Sequence, residues 1–141
     1  MVIKETMRFE PTVAIIPRAL TEDVQLGSYL LEKESMVFIP PFTVHHDPRW
    51  WSDPERFDPL RFSEANEANI PKYAYLPFGG GPRICIGNHF SLMEAQILLA
   101  MIVSQYQLRH TPDANIVPLR LVTTVPKYGM PMIVSSRKAG S

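Results

Sequence analysis

The stretch that decides the fold reads Phe78-Gly79-Gly80-Gly81-Pro82-Arg83-Ile84-Cys85-Ile86-Gly87, and it holds the only cysteine of the chain. It is a glycine-rich loop running straight into the clearest helical pattern of the sequence. Phe90, Met93, Ile97, Ala100, Met101 and Ser104 fall on one face at helical spacing and read as core. A thiol just ahead of a helix meets amide N–H groups without intrahelical partners; these and the helix dipole favour a thiolate. The glycines let backbone approach a flat ligand closely. Arg83, two residues before the sulfur, offers a fixed fork of donors suited to a carboxylate. A lone cysteine is ordinarily a small buried hydrophobe; these neighbours argue against that here. Cys85 and His89, at i and i+4, also suit zinc or a Cys–His nucleophile. Zinc would need two more ligands from His45, His46 or His110, which show no recognisable spacing, and a nucleophile has no evident acid or oxyanion partner. The triple glycine is not a nucleotide loop, because no Lys-Ser/Thr follows it.

Outward from the loop, the composition is that of one compact domain. The 141 residues carry 14 Lys+Arg and 14 Asp+Glu, so the net charge is zero and no basic excess points to nucleic acid. The longest apolar run, Ile97 to Val103, is too short to cross a bilayer. Lys4, Glu5 and Arg8 stand where the apolar core of a signal peptide would lie. One cysteine excludes an internal disulfide framework and fits a reducing, cytoplasmic compartment. The 14 prolines are spread along the chain, which implies short elements joined by fixed turns.

Met1 to Phe9 reads as the end of a helix, closed by Pro11 and lacking a capped start, so a truncated chain is expected. Strands are expected at Thr12–Ile16, at Val24–Leu26 turning through Gly27-Ser28 into Tyr29–Leu31, and at Met36–Ile39. Phe42 to Arg61 is aromatic and proline-rich, with short helical turns at most. Asn66 to Lys72 is polar loop. After Pro112 the pattern predicts a hairpin of Val117–Thr124 with Met132–Ser136 around Pro126-Lys127-Tyr128-Gly129.

The loop resembles the haem-binding signature of the cytochromes P450, F-x-x-G-x-R-x-C-x-G, with Phe78, Gly81, Arg83, Cys85 and Gly87 in its fixed positions. At ordinary residue frequencies such a match would arise by chance in on the order of one sequence in fifty thousand. Lys4-Glu5-Thr6-Met7-Arg8 resembles the family's E-x-x-R helix, with Glu5 and Arg8 on one face. The family's pattern D-P-x-x-F-x-P-x-R-F fits Asp53, Pro54, Phe57, Pro59, Arg61 and Phe62, with Leu60 in place of the usual glutamate. The more familiar letters at Pro54-Glu55-Arg56-Phe57 are then a decoy, and the resemblance implies a buried triad of Glu5, Arg8 and Arg61. His45-His46-Asp47-Pro48 resembles an H-R-D-P segment with His46 replacing arginine.

The resemblance implies an α+β fragment of the mostly α-helical cytochrome P450 fold. Residues 1–141 would form the C-terminal part of a single domain whose amino-terminal two-thirds are absent. It implies haem b, with Cys85 as axial ligand and Arg83 and Arg18 on the propionates. Cysteine thiolate is the ligation that favours O–O cleavage. The parent would be a monooxygenase inserting one oxygen atom of O2 into a small hydrophobic substrate. Its electrons would come from a ferredoxin or flavin reductase. Val13, Ile15, Leu121, Val122 and Thr123 fall where the family lines its substrate pocket. The alternative is a non-catalytic fragment that cannot bind haem productively by itself.

Overall fold

The computed structural model describes residues 1–137. Helix α1 spans Val2–Phe9 and is followed by β1 (Ile16–Ala19), β2 (Val24–Leu26), β3 (Tyr29–Leu31) and β4 (Met36–Ile39). Helix α2 (Pro41–His45), a 3-10 turn at Pro59–Phe62 and the one-turn α3 (Glu64–Glu67) carry the chain to the cysteine loop. Then come α4 (Asn88–Gln105), β5 (Tyr106–His110), β6 (Pro118–Arg120), β7 (Thr124–Pro126) and β8 (Met132–Ser136). Among the described residues there are four ladders, all antiparallel and two-stranded: β1 with β4, β2 with β3, β5 with β8 and β6 with β7. The β2–β3 hairpin turns at Gly27, whose φ of 60° a glycine adopts without strain.

The first strand lies later than Thr12–Ile16. Residues 12–15 make no ladder because their backbone answers two different neighbours. The Thr124 amide donates to the Thr12 carbonyl (2.7 Å) and the Phe42 amide to the Ala14 carbonyl (3.4 Å). Regular pairing starts at Ile16, opposite Ile39, and continues to Ala19 opposite Met36. The expected loop at Asn66–Lys72 begins inside α3, which takes in Asn66 and Glu67.

The carboxy-terminal pairing also differs from expectation. Met132–Ser136 pairs with β5 rather than with Val117–Thr124, in the register Tyr106↔Ser136 to His110↔Met132. β5 follows α4 without a loop: Tyr106 caps the helix already in extended conformation, φ −127° and ψ 149°. Residues 121–123 close a separate β6–β7 hairpin, and Gly129, at φ 76°, turns the chain away from it.

The core is small and aromatic. Trp51, Phe62 and Ala74 are buried, with Ile70 and Tyr75 packed against them. The face of α4 that reads as core in the sequence is not covered. Phe90, Met93, Ile97 and Met101 are 65, 53, 52 and 55% exposed, because α1 and β5 are the main elements against this helix. The accessible surface is 10681 Å². A self-contained monomer of 16.0 kDa would expose ~7400 Å².

Candidate functional site

The site is built on a buried ion cluster. Glu5 and Arg8, one turn apart on α1, are both fully buried. Arg8 Nε donates to Glu5 Oε2 (2.8 Å) and Nη2 to Oε1 (2.9 Å). Its remaining donors reach the carbonyls of His45 (Nη1, 2.8 Å) and Arg56 (Nη2, 3.3 Å). Arg61 comes from the Pro59–Phe62 turn, and its Nε lies 3.5 Å from Glu5 Oε1, within ion-pair range but not hydrogen-bonded. Its Nη atoms donate to the carbonyls of Ser52 (2.5 Å) and Asp53 (2.7 Å). The Asp58 amide gives Glu5 Oε1 a further donor at 2.8 Å. Arg61 and not Arg56 thus faces the carboxylate; Arg56 contributes its carbonyl to both guanidinium groups.

The cysteine loop closes on itself. The Cys85 amide donates to the Phe78 carbonyl (3.0 Å), and the Ile84 amide to the Gly81 carbonyl (3.1 Å). Gly79 and Gly81 hold φ of 76° and 70°, which a side chain would strain. Gly80 has φ −161°, but a Cβ there would stand 3.1 Å from the Tyr73 ring. Gly87 precedes α4, and a Cβ on it would touch the Cys85 sulfur at 3.9 Å. The thiol is free and exposed.

Cys85 opens into a cavity of about 760 Å³, a size suited to a cofactor. Apolar walls come from Ile3 and Met7 of α1, from Val13 and Ile16, and from Phe90, Leu92 and Ala95 of α4. Phe78, Gly79, Arg83 and Gly87 of the loop, with Arg18 of β1, complete the lining around Cys85. Gly81 lies outside the lining and acts through the turn. Arg18 Nη1 donates only to the neighbouring Pro17 carbonyl (2.8 Å), and neither Arg18 nor Arg83 meets a carboxylate among the described residues.

Several residues named from the sequence stand elsewhere. Ile15 is 55% exposed and does not line the cavity, since residues 12–15 lack the ladder that would bring alternate side chains to one face. Leu121, Val122 and Thr123 form the tip of the β6–β7 hairpin outside the cavity, with Leu121 68% and Val122 86% exposed. No three His, Cys, Asp or Glu side chains converge on a metal site among the described residues. His45 and His46 are engaged with backbone instead: His45 Nε2 accepts from the Leu76 amide (2.7 Å), and His46 Nδ1 meets the Phe42 carbonyl (2.9 Å). Sequence reasoning missed His45 as a structural centre. Its place in the H-R-D-P-like segment was the available signal.

The site thus places an exposed thiol of a glycine loop and two arginines in the lining of one largely apolar cavity. The Cytochrome P450 family model matches residues 1–131. Cytochrome P450 3A11 of Mus musculus is 41% identical over 121 residues, 86% of this chain and 24% of the relative. Cytochrome P450 9e2 of Blattella germanica is 43% identical over 112 residues, 77% of this chain and 21% of the relative. Among solved structures, a retinoic acid bound cyanobacterial CYP120A1 superposes with TM-score 0.86 at 29% identity, covering 96% of this chain and 32% of the other. The haem domain of cytochrome P450DA gives TM-score 0.88 at 28% identity, covering 96% of this chain and 30% of the other.

The chain belongs to the cytochrome P450 family. It spans about a quarter of the length of the relatives it matches. Haem is the family's cofactor, and the apolar walls, the free thiol and the two carboxylate-free arginines fit it.

Proposed function

We propose that this chain is the haem-anchoring part of a cytochrome P450 monooxygenase, with Cys85 as the axial ligand of haem b. The observation that carries the reading is the convergence of Cys85, Arg83 and Arg18 on one apolar cavity. Arg83 and Arg18 would hold the propionates, and the walls from α1 and α4 would exclude water from the ring. Phe78, Gly81 and Gly87 fix the loop that presents the sulfur. Haem ligated by a cysteine thiolate supplies the electron density that favours O–O cleavage, and so insertion of one oxygen atom of O2 into an organic substrate.

An electron-donor protein, a ferredoxin or flavin reductase, would bring the electrons. A small hydrophobic substrate would meet Val13, which lines the cavity; Ile15 and residues 121–123 are left out of this assignment. No helix among the described residues is long and apolar enough to cross a membrane. The lone cysteine favours a reducing, cytoplasmic setting for the site. By themselves the 141 residues would not turn over substrate, since they make up about a quarter of a relative's length.

Haem titration of Arg18→Ala and Arg83→Ala, each with haem and with its dimethyl ester, tests the propionate assignment. The variants should weaken haem binding about tenfold or more while binding the ester as the wild type does, a charge-assisted hydrogen bond being lost in each. Equal losses for both ligands would remove the arginines from this role. Turnover of an organic substrate by the purified chain would overturn the reading that it is inactive alone.

A further inference from the structure

The segment entering the cysteine loop is pinned at three successive residues. The Trp51 indole N–H donates to the Ala74 carbonyl (3.2 Å) and the Tyr75 hydroxyl to the Lys4 carbonyl (2.9 Å). The Leu76 amide donates to His45 Nε2 (2.7 Å). His45 also reaches the ion cluster directly, because its own carbonyl accepts from Arg8 Nη1 (2.8 Å). Its ring is fully buried and packs on Tyr75 with centroids 5.4 Å apart.

An amide can only donate, so Nε2 must present a lone pair and the proton of the neutral ring must sit on Nδ1. Nδ1 is buried and, among the described residues, makes no well-formed hydrogen bond, with the Arg8 and Met7 carbonyls as its nearby acceptors. A phenylalanine or leucine would fill this space without a buried ring nitrogen but would leave the Leu76 amide without its acceptor. The half-satisfied imidazole is accounted for by what its other nitrogen holds.

We propose that His45 is a positioning residue, coupling the Glu5–Arg8–Arg61 cluster to the Cys85 loop through the Leu76 amide. The coupling continues along the backbone. The Leu76 carbonyl accepts from the Gly79 amide (3.2 Å), and Phe78, between them, accepts from the Cys85 amide (3.0 Å). The two peptide units flanking the Leu76 Cα, one held by His45 through its N–H and the other by the Gly79 amide through its carbonyl, therefore set the start of the loop that ends at the sulfur. The significance for ligation rests on the haem reading above; the coupling itself is a property of the protein without haem.

Amide hydrogen exchange by NMR on the ¹⁵N-labelled, haem-free full chain tests it. The ring nitrogens of His45 are read in the same sample, so failure of haem binding cannot be confused with failure of this inference. In the wild type at neutral pH, Nε2 should be unprotonated and the Leu76 amide protected. His45→Leu, which keeps bulk but no acceptor, should speed exchange at Leu76 and Cys85 about tenfold or more relative to the β5–β8 ladder, as expected for one lost buried hydrogen bond. His45→Gln, which can present an acceptor at similar reach, should recover most of the protection. A protonated Nε2 in the wild type overturns the proposal, as does unchanged exchange at Leu76 and Cys85 in His45→Leu. Should that variant not fold, the wild-type tautomer and the Gln variant decide the matter. Protection lost with Gln would make His45 a core filler.

Discussion

Replacing Glu5 by alanine strikes the centre of the ion cluster. The carboxylate takes two donors from Arg8 at 2.8 and 2.9 Å, the Asp58 amide at 2.8 Å and the ion pair with Arg61 at 3.5 Å. Arg8 is fully buried, so the variant strands a guanidinium that retains carbonyl partners but no countercharge. Removing one partner of a buried pair costs about 3–5 kcal/mol. A domain of this size is stable by about 5–15 kcal/mol, and the uncovered face of α4 puts this chain toward the lower end. Urea melts followed by tryptophan fluorescence should show the midpoint of Glu5→Ala lowered by about 2 M, taking a slope of about 2 kcal/mol per M. The double variant Glu5→Ala/Arg8→Ala should be less destabilised than the sum of the single variants, because the stranded charge leaves with its partner. A loss below about 1 kcal/mol for Glu5→Ala, or strictly additive losses, would refute the cluster as the anchor of the fold.

Three further outcomes follow from the same geometry. Burial, reinforced by the positive charges of Arg8 and His46 against the raising effect of the Arg8 and Met7 carbonyls, pushes His45 down from 6.5 to about 4. The unfolded chain therefore binds this proton more readily. About 3 kcal/mol of stability should be complete above pH 6.5 and drain away as pH falls toward 4, a slope that His45→Gln removes in melts at stepped pH. Arg61→Ala should cost about 2–3 kcal/mol in the same denaturation assay, whereas Arg56→Ala, whose side chain makes no hydrogen bond or ion pair among the described residues, should stay within about 0.5 kcal/mol; the reverse order would return the triad to the decoy motif. Gly79→Ala and Gly81→Ala should each cost about 1–2 kcal/mol through their positive φ, and thermal melts no different from wild type would show that the loop relaxes.

What the sequence disclosed was local chemistry. The ten residues around Cys85 carry fixed spacings, and Glu5 and Arg8 share a helix face, so these groups were legible without coordinates. Arg61 could be separated from Arg56 only by a longer pattern extending over Asp53, Pro54, Pro59 and Phe62. Long-range pairing was less legible. Met132–Ser136 is as compatible with Val117–Thr124 as with Tyr106–His110 by alternation alone, and α4 runs into β5 with no glycine or proline to announce it. The exposure of α4 was illegible for another reason. A helical face of Phe90, Met93, Ile97 and Met101 says that it must be covered, not that the covering lies within these 137 residues. His45 escaped because its role depends on a backbone amide 31 positions away.

The most direct test of the central claim is the absorption spectrum of the haem-loaded chain, reduced and bound to carbon monoxide, recorded beside Cys85→Ala. A thiolate-type Soret band is expected for the wild type and not for Cys85→Ala. A haem complex whose spectrum is the same with and without the Cys85 sulfur would contradict it.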